Sequence, residues 1–174
     1  MGPDRFRFFC RCLLTIGFIV IAGAASGHAD SPGYFEGIGR AGLHVSNAVR
    51  DGCWARADLT QSTLEARAAD VGLELVNAIV PPTIILEAVG YRLADRDGLE
   101  LGCVVSIRFQ VVTPGNVKPW WLPGNRQVAA LTELYGRSMI VTGPKRDMQT
   151  AITENYLNFM TGFLNEWAAD NATD

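Results

Sequence analysis

The chain is predicted to be an α+β protein, a two-layer α/β sandwich with a mostly antiparallel sheet and a long C-terminal amphipathic helix. Three observations predict it. Between residues 101 and 111, Leu101, Cys103, Val105, Ile107, Phe109 and Val111 alternate with Gly102, Val104, Ser106, Arg108 and Gln110, the period of a strand with one buried face. From Met148 to Trp167, apolar side chains recur at helical spacing. The elements between the N-terminal segment and that helix read strand, helix, then several strands, which as a layering problem gives one sheet covered by helices.

The first 29 residues are set aside as a secretory signal. Arg5, Arg7 and Arg11 make a basic start, residues 13–25 (LLTIGFIVIAGAA) an apolar run, and Gly27, His28 and Ala29 a small-residue cleavage site before Asp30. The run falls short of the about 20 residues of a permanent span. The alternative is an uncleaved N-terminal anchor. Cys10 and Cys12 precede the apolar run, the wrong side for a lipid-modified cysteine, and leave with the signal. The mature part, from residue 30, carries twelve Lys and Arg against seventeen Asp and Glu, a net charge of −5. Such a balance, with no basic run, argues against nucleic acid as a partner and gives no general attraction to anionic lipid. No stable membrane span is expected after cleavage, and the protein is placed in the periplasm or secreted.

Residues 30–41 form a Gly-rich, flexible lead-in, and residues 42–174 a single α/β domain. A first strand is predicted over 42–50 from Leu43, Val45 and Val49. Asp58 then opens a helix with Gln61 as its capping-box partner, Leu64, Ala68 and Val71 supply its stripe, and Gly72 ends it. A short strand covers 73–80 and stops at Pro81-Pro82. Residues 83–93 (TIILEAVGYRL) are apolar on both alternations, the pattern of a central strand covered on much of both faces. After a turn at 94–98 comes the strong strand from Leu101. Residues 113–126 are a Pro/Gly-rich loop, 127–135 fit strand or helix with strand preferred, and 138–142 are an edge strand. Gly143-Pro144 starts the last helix with proline at its first position.

Two cysteines remain in the mature chain, Cys53 and Cys103. An even pair in an exported protein reads as a disulfide. The bond forms most simply if the first strand and the strand from Leu101 are antiparallel neighbours. The absence of a Cys-x-x-Cys motif leaves a redox role unsupported.

The search for chemistry returns little. His44 is the one histidine after the signal, and no nucleophile motif accompanies it. One histidine, two bonded cysteines and scattered carboxylates make no metal site, and no cofactor or catalytic set is indicated. Glu87 interrupts an apolar strand and invites pairing with Arg92 or Arg108. Lys145 and Arg146 stand beside a helix start without the glycine spacing of a phosphate loop.

Two features point instead to a partner, most simply another envelope protein. Trp120 and Trp121 are adjacent in a Pro-bounded loop, and in an extended segment only one of them is easily buried. On the last helix Leu157, Met160 and Leu164 widen the apolar arc beyond the about 100° that covers one sheet. The reading is a non-enzymatic binding or assembly module of the bacterial envelope. The alternative is a small-ligand-binding protein or hydrolase with its site under residues 113–126, converging on Glu87, Arg92 or His44.

Overall fold

In the computed structural model the described residues are 33–172, within a compact unit spanning Pro32–Asp174. The signal and its cleavage site lie outside the described residues. The elements are β1 (Arg40–Val49), α1 (Ala57–Ala69), β2 (Glu74–Val76), β3 (Thr83–Ala94), β4 (Glu100–Val117), β5 (Val128–Gly143) and α2 (Lys145–Asp170). They form one five-stranded sheet, ordered β2-β1-β3-β4-β5, with both helices on one face.

The sheet is mixed. β3, β4 and β5 are antiparallel as expected, but β1 runs parallel to both β2 and β3. α1 carries the chain back between β1 and β2, which makes those two parallel, and residues 77–82 then cross at Gly42 to the other side of β1 and run on in the same direction as β3. The expected adjacency of β1 and β4 is therefore replaced by an order in which β3 lies between them. The disulfide forms all the same. The turn after β1 carries Cys53 to Cys103 near the start of β4, with Cα atoms 6.0 Å apart and both residues buried.

The core follows from the alternation. Ile84, Leu86 and Ala88 of β3 and Val105, Ile107, Phe109 and Val111 of β4 are fully buried beneath the helices. The other face of β3 is open rather than covered, with Val89 and Tyr91 exposed. A strand central in its sheet need not be covered on both faces when the helices lie on one side only.

α2 buries Met148, Ile152, Tyr156, Met160, Phe163, Leu164 and Trp167. Pro144 precedes the helix at its N-cap, one residue before the predicted place. At α1 the predicted capping box does not form: Arg56 holds the N-cap position, its guanidinium bonds the Asp58 carboxylate at 2.8–2.9 Å, and the Gln61 amide turns to Glu65 at 2.8 Å.

Residues 33–39, part of the expected lead-in, are fastened to the end of α2. The Phe35 amide donates to Asp170 Oδ2 at 3.0 Å, and the Asn171 amide donates to the Phe35 carbonyl at 2.7 Å. Trp167 Nε1 donates to the Ile38 carbonyl at 2.7 Å. The Phe35 ring packs edge-on against Phe163 at 5.2 Å. One aromatic residue in a Gly-rich stretch thus supplies enough buried surface to order it.

Candidate docking surface

β4 and β5 run past the rest of the sheet. β3 begins at Thr83, opposite Val112, so beyond a bulge at Val111/Val112 the hairpin has no third strand. Five further cross-strand pairs, from Thr113↔Thr132 to Val117↔Val128, carry it outward, about 16 Å at the usual rise per residue. The predicted loop at 113–126 is thus strand up to Val117, and the segment 127–135 is strand from Val128 onward. β5 continues without a break from Val128 to Gly143. Pro114 and Gly115 do not end the strand because an arm with free edges leaves proline without a ladder donor to lose.

The turn at the end of the arm is held locally. Lys118 Nζ donates to Asn125 Oδ1 at 2.6 Å, the Leu122 amide donates to the Pro119 carbonyl at 3.2 Å, and Gly124 takes a left-handed φ of 74°. Trp120 and Trp121 cross at 89° with ring centroids 5.7 Å apart. Neither is buried: Trp120 is 91% exposed and Trp121 66%. The rings pack against each other at the end of a two-stranded arm. Leu131 at 67% exposure, with Val117 and Val128 paired across the strands, extends the apolar surface down the arm.

The charge of this arm differs from that of the chain. No Asp or Glu occurs between Glu100 and Glu133, while Lys118 and Arg126 stand exposed at the tip, in a protein of net charge −3. At the base, Arg108 and Gln110 both donate to the Glu133 carboxylate, Arg108 at 3.0 Å.

The helix residues proposed as a partner surface are placed otherwise. Met160 is fully buried, Leu164 is 3% exposed and Leu157 is half-buried against the core. The wide apolar arc of α2 is occupied on one side by the sheet and on the other by α1 and Phe35. The join of the two helices is polar and satisfied. Trp54 Nε1 donates to Thr60 Oγ1 at 3.2 Å, Thr60 and Thr153 hydroxyls lie 2.8 Å apart, and the Gln149 amide donates to the Arg56 carbonyl at 3.1 Å.

The residues considered for chemistry do not assemble into a site. His44 is exposed on the open sheet face, and Glu87 is half-buried on the same face beside Ser46 and Arg108. Arg108 nevertheless pairs with Glu133, and Arg92 with Glu100 at 3.7 Å. By the strand register, Arg92 lies toward the end of the sheet opposite the arm, whereas Glu87 is four residues from Thr83, where the arm departs. An open depression of about 480 Å³ lies between β4 and β5, lined by Ser106, Arg108, Glu133 and Ser138 among others. Arg146 faces Asp147 at 3.6 Å. Among the described residues no group of three metal-ligating side chains occurs, and no helix is long and apolar enough to cross a membrane.

Two phenols are tuned by burial. The Tyr156 hydroxyl donates to the Glu87 carbonyl at 2.6 Å, tying α2 to β3, and burial pushes its ionisation well above the usual tyrosine range. Burial likewise raises that of Tyr135, whose ring carries the Arg137 guanidinium 4.9 Å above it.

Sequence reasoning found the tryptophans but missed Val117, Val128 and Leu131. The signal was present in the long interval without acidic residues, which crosses a stretch otherwise read as loop.

No protein-family model matches the chain, and no curated protein is similar to it in sequence. Among solved structures, a minor lipoprotein from Acinetobacter baumannii is 11% identical, covering 76% of this chain and 93% of its own, with a TM-score of 0.27.

Proposed function

We propose that the chain is an exported, non-enzymatic binding or assembly module of the bacterial envelope, acting in the periplasm or after secretion, which docks through the tip of its projecting hairpin. The observation that carries this reading is Trp120 at 91% exposure beside Trp121 at 66%, at the end of a two-stranded arm that no third strand accompanies. Tryptophan exposed in pairs is a common binding anchor, because one side chain offers a large contact area at small entropic cost. Export is supported by the buried Cys53–Cys103 bond, which an oxidising compartment favours, together with the basic, apolar and small-residue order of the first 29 residues.

The test is fractionation of cells expressing the wild type or a Trp120→Ala/Trp121→Ala variant. The wild type is expected to sediment with the envelope and the variant to appear in the soluble extract, both with the disulfide intact. Equal distribution of the two proteins would refute docking by the tip.

A further inference from the structure

The tip is a narrow end, and what it can bind follows from that. A specific protein interface engages about 20–30 residues a side, whereas the turn joining β4 to β5 spans only residues 118–127. A lipid surface sets no such requirement, since it needs no complementary shape. Building on the docking role proposed above, we infer that the tip inserts into the headgroup region of an anionic phospholipid membrane.

The side chains fit that surface in kind and in place. Indole is favoured at the boundary between headgroups and acyl chains, where its ring meets apolar matter and its N–H meets water. Trp120 and Trp121 supply two such rings, and Leu122 follows them directly. Lys118 and Arg126 flank the rings on the two sides of the turn, each with a long stem that lets its charge reach phosphate while the rings go deeper. Charge complementarity is local to the arm. The rest of an acidic protein is repelled by an anionic surface, while the arm, without a single carboxylate from residue 113 to 132, is attracted to it. The arm therefore both selects which end approaches the membrane and holds the acidic body away from it.

The experiment uses the oxidised unit Pro32–Asp174, which holds the whole sheet, both helices and the disulfide. It is mixed with large vesicles of phosphatidylcholine alone or of phosphatidylcholine with phosphatidylglycerol, and binding is read by sedimentation and by tryptophan emission. Trp54 and Trp167 are already buried, so a blue shift on binding reports the tip pair. The wild type is expected to bind the anionic vesicles with such a shift. Lys118→Gln/Arg126→Gln should weaken that binding about 25-fold, roughly five-fold per cation, with little change on neutral vesicles. Trp120→Ala/Trp121→Ala should weaken it on both by about ten-fold or more. All three proteins should unfold at the same temperature, because the altered side chains lie outside the core. A wild type that stays in the supernatant, or variants that bind as it does, overturns the inference. If that occurs while envelope sedimentation in cells still requires the tryptophans, the docking reading stands and its partner is a protein. If the tryptophans matter in neither experiment, both readings fall.

Discussion

Replacing Cys53 and Cys103 together by alanine removes a cross-link between residues 50 apart in sequence. In the chain-entropy account, freeing a loop of that length relaxes the unfolded ensemble by about 4 kcal/mol. Both side chains are 1% exposed, so truncation to alanine adds only a small loss of packing. The bond also ties the turn after β1 to the start of β4 across β3, so its loss is felt at the junction of the parallel and antiparallel halves of the sheet. For a unit of this size the loss corresponds to a fall in Tm of about 12 °C. Thermal and urea unfolding followed by circular dichroism would measure it, with the urea slope rising as the unfolded chain expands. Reduced wild type should match the double variant. If neither reduction nor substitution moves the midpoint, the bond does not constrain the chain as argued, and support for an oxidising compartment goes with it.

Phe35→Ala should cost about 3–5 kcal/mol in urea unfolding, since the ring is 3% exposed against Phe163 and anchors the segment before β1. Gly42→Ala should destabilise by about 1–3 kcal/mol or prevent folding, because a methyl group there meets the Ala78 carbonyl and the Val80 backbone; a normal melting curve would show that β1 and the 78–80 segment can separate. The Tyr156 phenol is harder to ionise folded than at its ordinary value of 10.0. Its contribution is therefore complete below that pH and is lost as pH rises above it, where the unfolded chain gives up the proton first. Tm should accordingly fall more steeply above pH 10 in the wild type than in Tyr156→Phe, and parallel curves would exclude this residue as the cause.

Much of the fold was legible because two periods dominate the chain. The alternation from Leu101 to Val111 placed β4, with its buried face correct from Cys103 onward and Leu101 exposed at the strand's start, and the stripe from Met148 to Trp167 placed α2. The parallel direction of β1 was harder to see, although the order strand, helix, strand around α1 contained it. Short apolar runs such as 73–80 do not state their neighbour, and β2 pairs through only three residues. The cover of α2 is hidden from sequence for a related reason. Leu157, Met160 and Leu164 indicate a wide apolar arc, but sequence does not say that α1 and Phe35 will fill it. In the arm, Pro114, Gly115 and Pro119 read as loop, whereas a two-stranded arm with unpaired edges accommodates proline and glycine as strand residues. Trp120 and Trp121 were visible because no argument from periodicity could bury both.

Docking by the tip predicts that Trp120 and Trp121 are covered in the cell. Hydroxyl-radical footprinting on intact cells tests this with built-in controls, because Tyr34 and Tyr91 are 76% and 57% exposed and lie outside the arm. Relative to the purified protein, oxidation of Trp120 and Trp121 should drop sharply while both tyrosines react as before. Tryptophans oxidised in cells at the purified protein's rate would mean that the arm meets nothing there.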